Sequence, residues 1–374
     1  MRLAALFFLA VAGSLSAGEG PASSAYPLWD GHESVAEYAK KVNLPPTKTL
    51  DLGNGVNIEL VLIPAGKFIM GTPRPEPVGE EAFYIRIFTG QTLLAVGSGV
   101  LLVLLAFMVT KAIRKRQRPK FSLLRLVAMT LMAGVALMGG LHWRQSVRSL
   151  ENAQEEYPAA QERFRHADSN EKPAHPVTIT KPFYMGKFAV TQEQYQQVTG
   201  QNPSEFKGKD NPVETVSWDD AQAFCKKVTE QTKQTVRLPT EAEWEFSCRA
   251  GTTTAYYSGD TEPDLARVAW YADNSKNTTH PVGQKEPNAF GLYDMHGNVY
   301  QACQDWYDSD YYGESVAENP QGPPPDTDHI LRGGSWRNSP TWCRSAKRTL
   351  TGGPGYSSDN EGFRVVVEPA FKGP

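Results

Sequence analysis

Arg237-Leu-Pro-Thr-Glu-Ala-Glu-Trp-Glu245 sets the reading of this chain. Thr240 and Glu243 stand three residues apart, the spacing of a capping box. There each side chain satisfies an otherwise orphaned backbone N–H at a helix start. The stretch therefore predicts a short helix carrying Trp244. Two similar starts lie upstream, Thr191 with Gln194 and Ser217 with Asp220. After the second, Trp218, Ala221, Cys225 and Val228 recur at helical spacing. Earlier still, Val56-Asn-Ile-Glu-Leu-Val-Leu-Ile63 reads as a strand, Pro64 to Gly71 as a turn and another strand, and His175 to Phe188 as strand-rich. Beyond Arg249 the chain is dense in Gly, Asn, Pro and aromatics, with few regular periods. The sum is an α+β domain with much ordered loop, which needs metal ions, disulfides or buried tryptophans to fix it.

Composition narrows the class. The 374 residues carry a formal charge of −3, 40% hydrophobic and 21% charged residues, with 32 Gly and 27 Pro. That excludes a disordered, collagen-like or coiled-coil chain. A pI near 6.2 argues against nucleic acid as a partner, and a mean hydropathy of −0.43 against a multi-span transporter. The length allows roughly two domains.

The average conceals two kinds of apolar segment. Met1-Arg2, an apolar run from Leu3 to Gly13 and the small residues Ser14 to Ala17 predict a secretory signal peptide, 1–17. Ile87 to Thr110 holds no charge, Lys111 to Lys120 is basic at six of ten positions, and Leu126 to Trp143 is again uncharged. Arg125, near the start of the second run, can snorkel. Each run is long enough to cross a bilayer, so the sequence predicts a hairpin of transmembrane helices 87–110 and 121–143. Two buried core helices are the alternative; an all-round apolar surface beside a dense basic block disfavours them. By the positive-inside rule the loop 111–120 is cytoplasmic and both ends of the hairpin lie outside. The signal peptide delivers the N-terminal part to that same side. The expected location is the cell membrane, with the bilayer as a partner and the folded domain periplasmic or extracellular. Residues 18–54 read as a mixed, partly ordered leader, and Arg144 to about Arg165 as a polar helix leaving the membrane.

Further motifs carry a resemblance. They are Gly66-Lys-Phe-Ile-Met-Gly71, His175-Pro-Val-Thr-Ile, Phe183-Tyr-Met-Gly-Lys-Phe-Ala-Val-Thr-Gln-Glu193, Pro212-Val-Glu-Thr-Val-Ser-Trp218, Pro287-Asn-Ala-Phe-Gly-Leu-Tyr-Asp-Met-His-Gly-Asn-Val299, Leu331-Arg-Gly-Gly-Ser-Trp336 and Gly362-Phe-Arg-Val365. In this order, together with Arg237 to Glu245, they resemble the sulfatase-modifying factor superfamily, whose type member is the formylglycine-generating enzyme. The resemblance covers 55–75 and 174–368 and implies a loop-rich, C-type-lectin-like α+β domain. Here 76–173 separates two strands that a short acidic loop joins in relatives. The two-helix transmembrane hairpin is then an insertion inside one domain, and both flanking strands must lie outside the membrane to pair.

The family's chemistry is oxidation of a cysteine in a Cys-x-Pro-x-Arg peptide of sulfatases. It uses copper(I) on two cysteines spaced Cys-x4-Cys after Gly-Gly-Ser. Thiolates are soft ligands that suit copper(I). Counted from Gly333, the first position is Asn338 and the second Cys343, the candidate catalytic residue. Counted from Arg344-Ser-Ala-Lys-Arg348, Cys343 falls nearer a structural disulfide position. The chain has four cysteines, Cys225, Cys248, Cys303 and Cys343. An even number in an exported domain favours disulfides, with three connectivities open. The resemblance favours Cys248–Cys343 with Cys225–Cys303, because Phe246-Ser-Cys-Arg-Ala-Gly251 places Cys248 at a family disulfide position. With one thiolate position lost, copper is not expected.

The family also holds calcium in the Gly-Leu-Tyr-Asn/Asp-x-x-Gly-Asn segment. Carried over, the ligands are the Asp294 side chain, the Gly297 and Val299 carbonyls, and Gln301 where relatives have an acid. All are oxygen donors, as a hard cation requires, but one negative charge is missing. Tyr300-Gln301-Ala302 also departs from the usual Trp-Glu-Trp. A second family site near Asn274 and Ser275 has a shortened loop. None of the seven histidines forms a His-x3-His-x-Glu array, which disfavours the iron-dependent sulfoxide-synthase branch. No Walker A, His-Glu-x-x-His or Gly-x-Ser-x-Gly motif occurs. The expectation is a membrane-tethered, exported family member that binds or modifies an exported protein or peptide partner without the copper pair. The alternatives are an active formylglycine-generating oxidoreductase maturing exported sulfatases and a noncatalytic lectin-like scaffold.

Overall fold

The computed structural model describes residues 26–75 and 156–369. The signal peptide and both expected transmembrane helices lie outside the described residues. Among the described residues no helix is long and apolar enough to cross a membrane. The chain divides into one unit of Met1–Pro73 with His166–Pro374 and a second of Arg74–Arg165. In the second, 156–165 are helical. The described strands all belong to the first.

The partly ordered leader carries a helix and a strand. Ser34 and Glu37 cap helix α1, Val35–Val42, reciprocally, and strand β1, Thr47–Asp51, pairs antiparallel with β2, Asn57–Ile63. Strands β3, Gly66–Met70, and β4, His175–Ile179, pair antiparallel, Gly66 opposite Ile179 and Met70 opposite His175. They flank the insertion, and its neck is closed by hydrogen bonds. The Thr72 N–H donates to the Glu171 carbonyl at 3.1 Å and the Thr72 hydroxyl to the Glu171 carboxylate at 2.7 Å.

Three capping boxes are formed as the sequence indicates. Thr191 with Gln194 opens α2, Gln192–Thr199; Ser217 with Asp220 opens α3, Trp218–Thr232; Thr240 with Glu243 opens α4, Glu241–Arg249. Helix α3 buries Ala221, Phe224, Cys225 and Val228; Trp218 at its start stays half-exposed. A further capped helix, α5, spans Glu262–Val268.

The remaining strands are β5, Phe183–Gly186, β6, Val236–Arg237, β7, Tyr300–Trp306, β8, His329–Arg332, β9, Arg348–Leu350, β10, Glu361–Phe363, and β11, Val366–Val367. They complete a sheet ordered β1-β2-β5-β11-β6 and another ordered β10-β7-β8-β9. In the second, β10 runs parallel to β7, with Glu361 opposite Tyr300.

All nine residues of α4 are buried, charged ones included. Such burial is tolerated only when each charge is paired and hydrogen-bonded. Arg348 Nε donates to Glu241 at 2.8 Å, Arg249 Nε to Glu245 at 2.9 Å, and Arg332 to the other Glu245 oxygen. Trp244 and Phe246 on the same helix join the apolar cluster of Ile63, Met185, Leu292 and Met295. A buried helix pinned by arginines from β8 and β9 thus forms the floor on which the long loops rest.

Candidate functional site

Two loops carry the residues singled out from sequence. The first follows β8 and runs from Gly333 into a 3-10 turn, Pro340–Cys343. Asn338 is held on several sides. The Ser335 hydroxyl donates to its Oδ1, its N–H donates to the Ser335 carbonyl at 3.1 Å, and its carbonyl accepts from the Ala272 N–H at 3.0 Å. Asn360 Nδ2 donates in turn to Ser335 Oγ at 3.1 Å, and the Tyr300 hydroxyl also bonds the Asn338 side chain.

Cys343 is fully buried, clustered with Tyr256, Leu265, Val268, Ala269 and Tyr271. Burial pushes its thiol up to about 12, although the backbone amides of Ser335 and Gly297 lie against it and pull the other way. It is a neutral thiol at physiological pH. Gly334 has φ +75°, and a Cβ there would meet the Cys343 sulfur at 2.6 Å; only glycine fits.

This donor set does not fit copper(I). One position offers a buried protonated thiol, the other an amide already hydrogen-bonded, and a hard amide oxygen does not replace a thiolate. Among the described residues no group of three or more His, Cys, Asp or Glu could hold a metal ion.

The disulfides expected from the resemblance are not formed. All four cysteines are free and buried. Cys248 faces other groups: its sulfur lies 3.7 Å from His296 Nε2 and 3.8 Å from the Ser345 hydroxyl. Ser345, two residues past Cys343, occupies the place opposite Cys248. Cys225 and Cys303 lie in separate apolar clusters. His296 is itself buried and accepts the Tyr257 N–H at 3.1 Å; burial lowers its pKa to about 3.

The second loop joins Pro287 to β7. Asp294 has φ +53° and Gly297 φ +71°. A Cβ at Gly297 would meet the Trp270 carbonyl oxygen at 2.2 Å. Asp294 is buried; its Oδ2 accepts the Gly283 N–H at 2.8 Å, and its Oδ1 has no protein partner. Burial lifts its pKa to about 6. Gln301 Oε1 accepts from Trp244 Nε1 at 2.9 Å and from Arg364 Nε at 3.0 Å, while its Nε2 donates to the Asp294 carbonyl at 2.7 Å. The structure thus brings Asp294 and Gln301 together, but through the backbone carbonyl of one and the amide of the other. Sequence reasoning missed Arg364 and Trp244 as the groups that orient Gln301. Both lie in family motifs, and nothing in the sequence shows where they point.

Beside Asn338 lies a polar surface over a buried aromatic contact. Arg337 bonds Asp359 at 3.0 Å, Asn360 at 2.9 Å and Ser358 at 3.2 Å. Phe206 and buried Trp336 make a T-shaped contact with ring centroids 5.2 Å apart. Half-buried Glu361 lies nearby, its pKa raised to about 7 by burial.

The family described as "Sulfatase-modifying factor enzyme 1-like domain" matches residues 148–369. The chaperone protein LppX of Paenibacillus barcinonensis is 33% identical over 242 residues, 51% of this chain and 81% of that protein. The formylglycine-generating enzyme of Streptomyces coelicolor is 36% identical over 179 residues, 44% of this chain and 55% of the enzyme. The chain thus spans about half of that enzyme's length. PvdO from Pseudomonas aeruginosa shares the fold with a TM-score of 0.57 at 22% identity, over 87% of this chain and 99% of PvdO.

Proposed function

This chain belongs to the sulfatase-modifying factor family, and from that premise we propose that it binds a protein or peptide partner without the family's copper–thiolate oxidation. One observation carries the reading: the two positions that would grip copper hold a hydrogen-bonded amide, Asn338, and a buried neutral thiol, Cys343. The polar rim of exposed Arg337 with half-buried Asp359 and Glu361 beside them is the surface offered to the partner, and buried Trp336 supports it from below. Arginine is among the residue types that anchor protein contacts. The name of LppX, a chaperone, favours binding over oxidation. The test is incubation of the full chain with copper(I), oxygen and a Cys-x-Pro-x-Arg peptide, read by mass spectrometry. The peptide cysteine is expected to stay a thiol; its conversion to an aldehyde would contradict the reading.

The tether is part of the same proposal. The uncharged runs 87–110 and 126–143 with the basic block between them support a hairpin anchored in the cell membrane, its 111–120 loop cytoplasmic. The neck supports it too, because Thr72 and Glu171 are hydrogen-bonded to each other. A chain that leaves and returns at one point crosses a bilayer an even number of times.

A further inference from the structure

We propose that the side-chain amide of Gln301 does in this chain what a calcium ion does in the family's Gly-Leu-Tyr-Asp-x-x-Gly-Asn loop, so that the loop closes without metal. Three contacts fix which way the amide faces. Trp244 Nε1 and Arg364 Nε can only donate, and both reach the same Gln301 atom, at 2.9 and 3.0 Å. That atom is the oxygen. The nitrogen then faces the Asp294 main-chain carbonyl, which can only accept, at 2.7 Å. A flipped amide would set two donors against a donor and oxygen against oxygen.

The consequence for calcium is direct. The ion takes six to eight oxygen ligands. The Gln301 oxygen has two lone pairs and both are used, by donors that are themselves fully buried. What remains is Asp294 Oδ1 with the Gly297 and Val299 carbonyls, too few for the ion in a closed loop. The positive charge comes from elsewhere. The Arg364 guanidinium and the Lys285 ammonium both attract the Asp294 carboxylate. Arg364 is fixed there, with Nη2 donating to the Tyr293 carbonyl at 2.6 Å and Nη1 to the Gly186 carbonyl. A glutamate at 301 has no hydrogen to give. It would set a carboxylate oxygen against the Asp294 carbonyl, and a divalent cation would relieve that contact. Gln301 supplies an N–H at the point of repulsion.

Thermal unfolding and calorimetric titration of the detergent-solubilised full chain test this, in chelator and in about 1 mM calcium, the upper end of the range at which extracellular modules bind. The native chain is expected to unfold within about 1 °C of the same temperature in both, with no saturable binding. A rise of more than about 5 °C, abolished by Gln301→Ala, would overturn the proposal. The reverse experiment is Gln301→Glu. It is expected to unfold at a lower temperature in chelator and to recover in calcium; native-like stability in chelator would overturn the amide's role. Should Gln301→Glu give no folded protein, the native titration decides alone.

Discussion

Arg344 grips Glu171 with both terminal guanidinium nitrogens, at 2.7 and 2.6 Å, across 173 positions of sequence. Glu171 is fully buried, and its carboxylate also takes the Thr72 hydroxyl. The pair fastens the neck from which residues 74–165 depart. Removing the cation strands a buried carboxylate, so Arg344→Leu is expected to cost about 3–5 kcal/mol in denaturant unfolding. Arg344→Lys keeps the charge but loses the fork, and should fall between the two.

The thiols should be silent. Cys225, Cys248 and Cys343 are pushed up to about 12 by burial, and Cys303 well above its ordinary value. A thiol reacts as thiolate. Native protein at pH 8 is expected to give no fast labelling by a thiol reagent, and four labels after unfolding. This silence makes Gln117→Cys a clean reporter for the proposed hairpin. It is expected to label only from the cytoplasmic side, and labelling from outside would contradict the proposed topology.

Acid should find His296. Its folded pKa of about 3 lies below the unfolded value of roughly 6.5. The unfolded chain therefore takes the proton first. The stabilising contribution is intact above pH 6.5 and is lost as pH falls toward 3. His296→Gln keeps an acceptor for the Tyr257 N–H but cannot titrate. Its stability is expected to fall less steeply than the native protein's between pH 6.5 and 4.5. Asp294 has the opposite sign: its raised pKa of about 6 means the folded state takes the proton first, adding stability as pH falls from 6 toward 4. Asp294→Asn should remove that gain.

Two glycines separate strain from collision. Gly291, φ +85°, has nothing within 4 Å of an added Cβ, whereas Gly297, φ +71°, would meet the Trp270 carbonyl oxygen at 2.2 Å. Gly291→Ala should cost about 1–2 kcal/mol, the left-handed penalty alone. Gly297→Ala should cost on the order of 2–4 kcal/mol, because backbone must also move.

Local signals were legible where they are local. Thr191, Ser217 and Thr240 cap helices because a capping box is written within four residues. Strand β1 escaped notice because it buries only Leu50, too thin a pattern to separate from leader. The cysteine pairing failed for a different reason. Even number and export favour bridges, but whether Cys248 faces Cys343 or Ser345 depends on how the chain turns after Pro340, and no residue spacing fixes that. The arginines were equally opaque. Arg332, Arg348 and Arg364 read as ordinary charges in sequence, yet all three are buried, the first two pairing with acids of α4. The side-chain partners Glu245, Glu241 and Gln301 lie 63 to 107 positions away.

Copper(I) affinity tests the central claim most directly. Competition of the full chain against a chromogenic copper(I) chelator, anaerobically, is expected to show no ion withdrawn by the native protein, because Asn338 offers no thiolate and Cys343 keeps its proton. One tightly held ion per chain, lost on Cys343→Ala, would contradict the account.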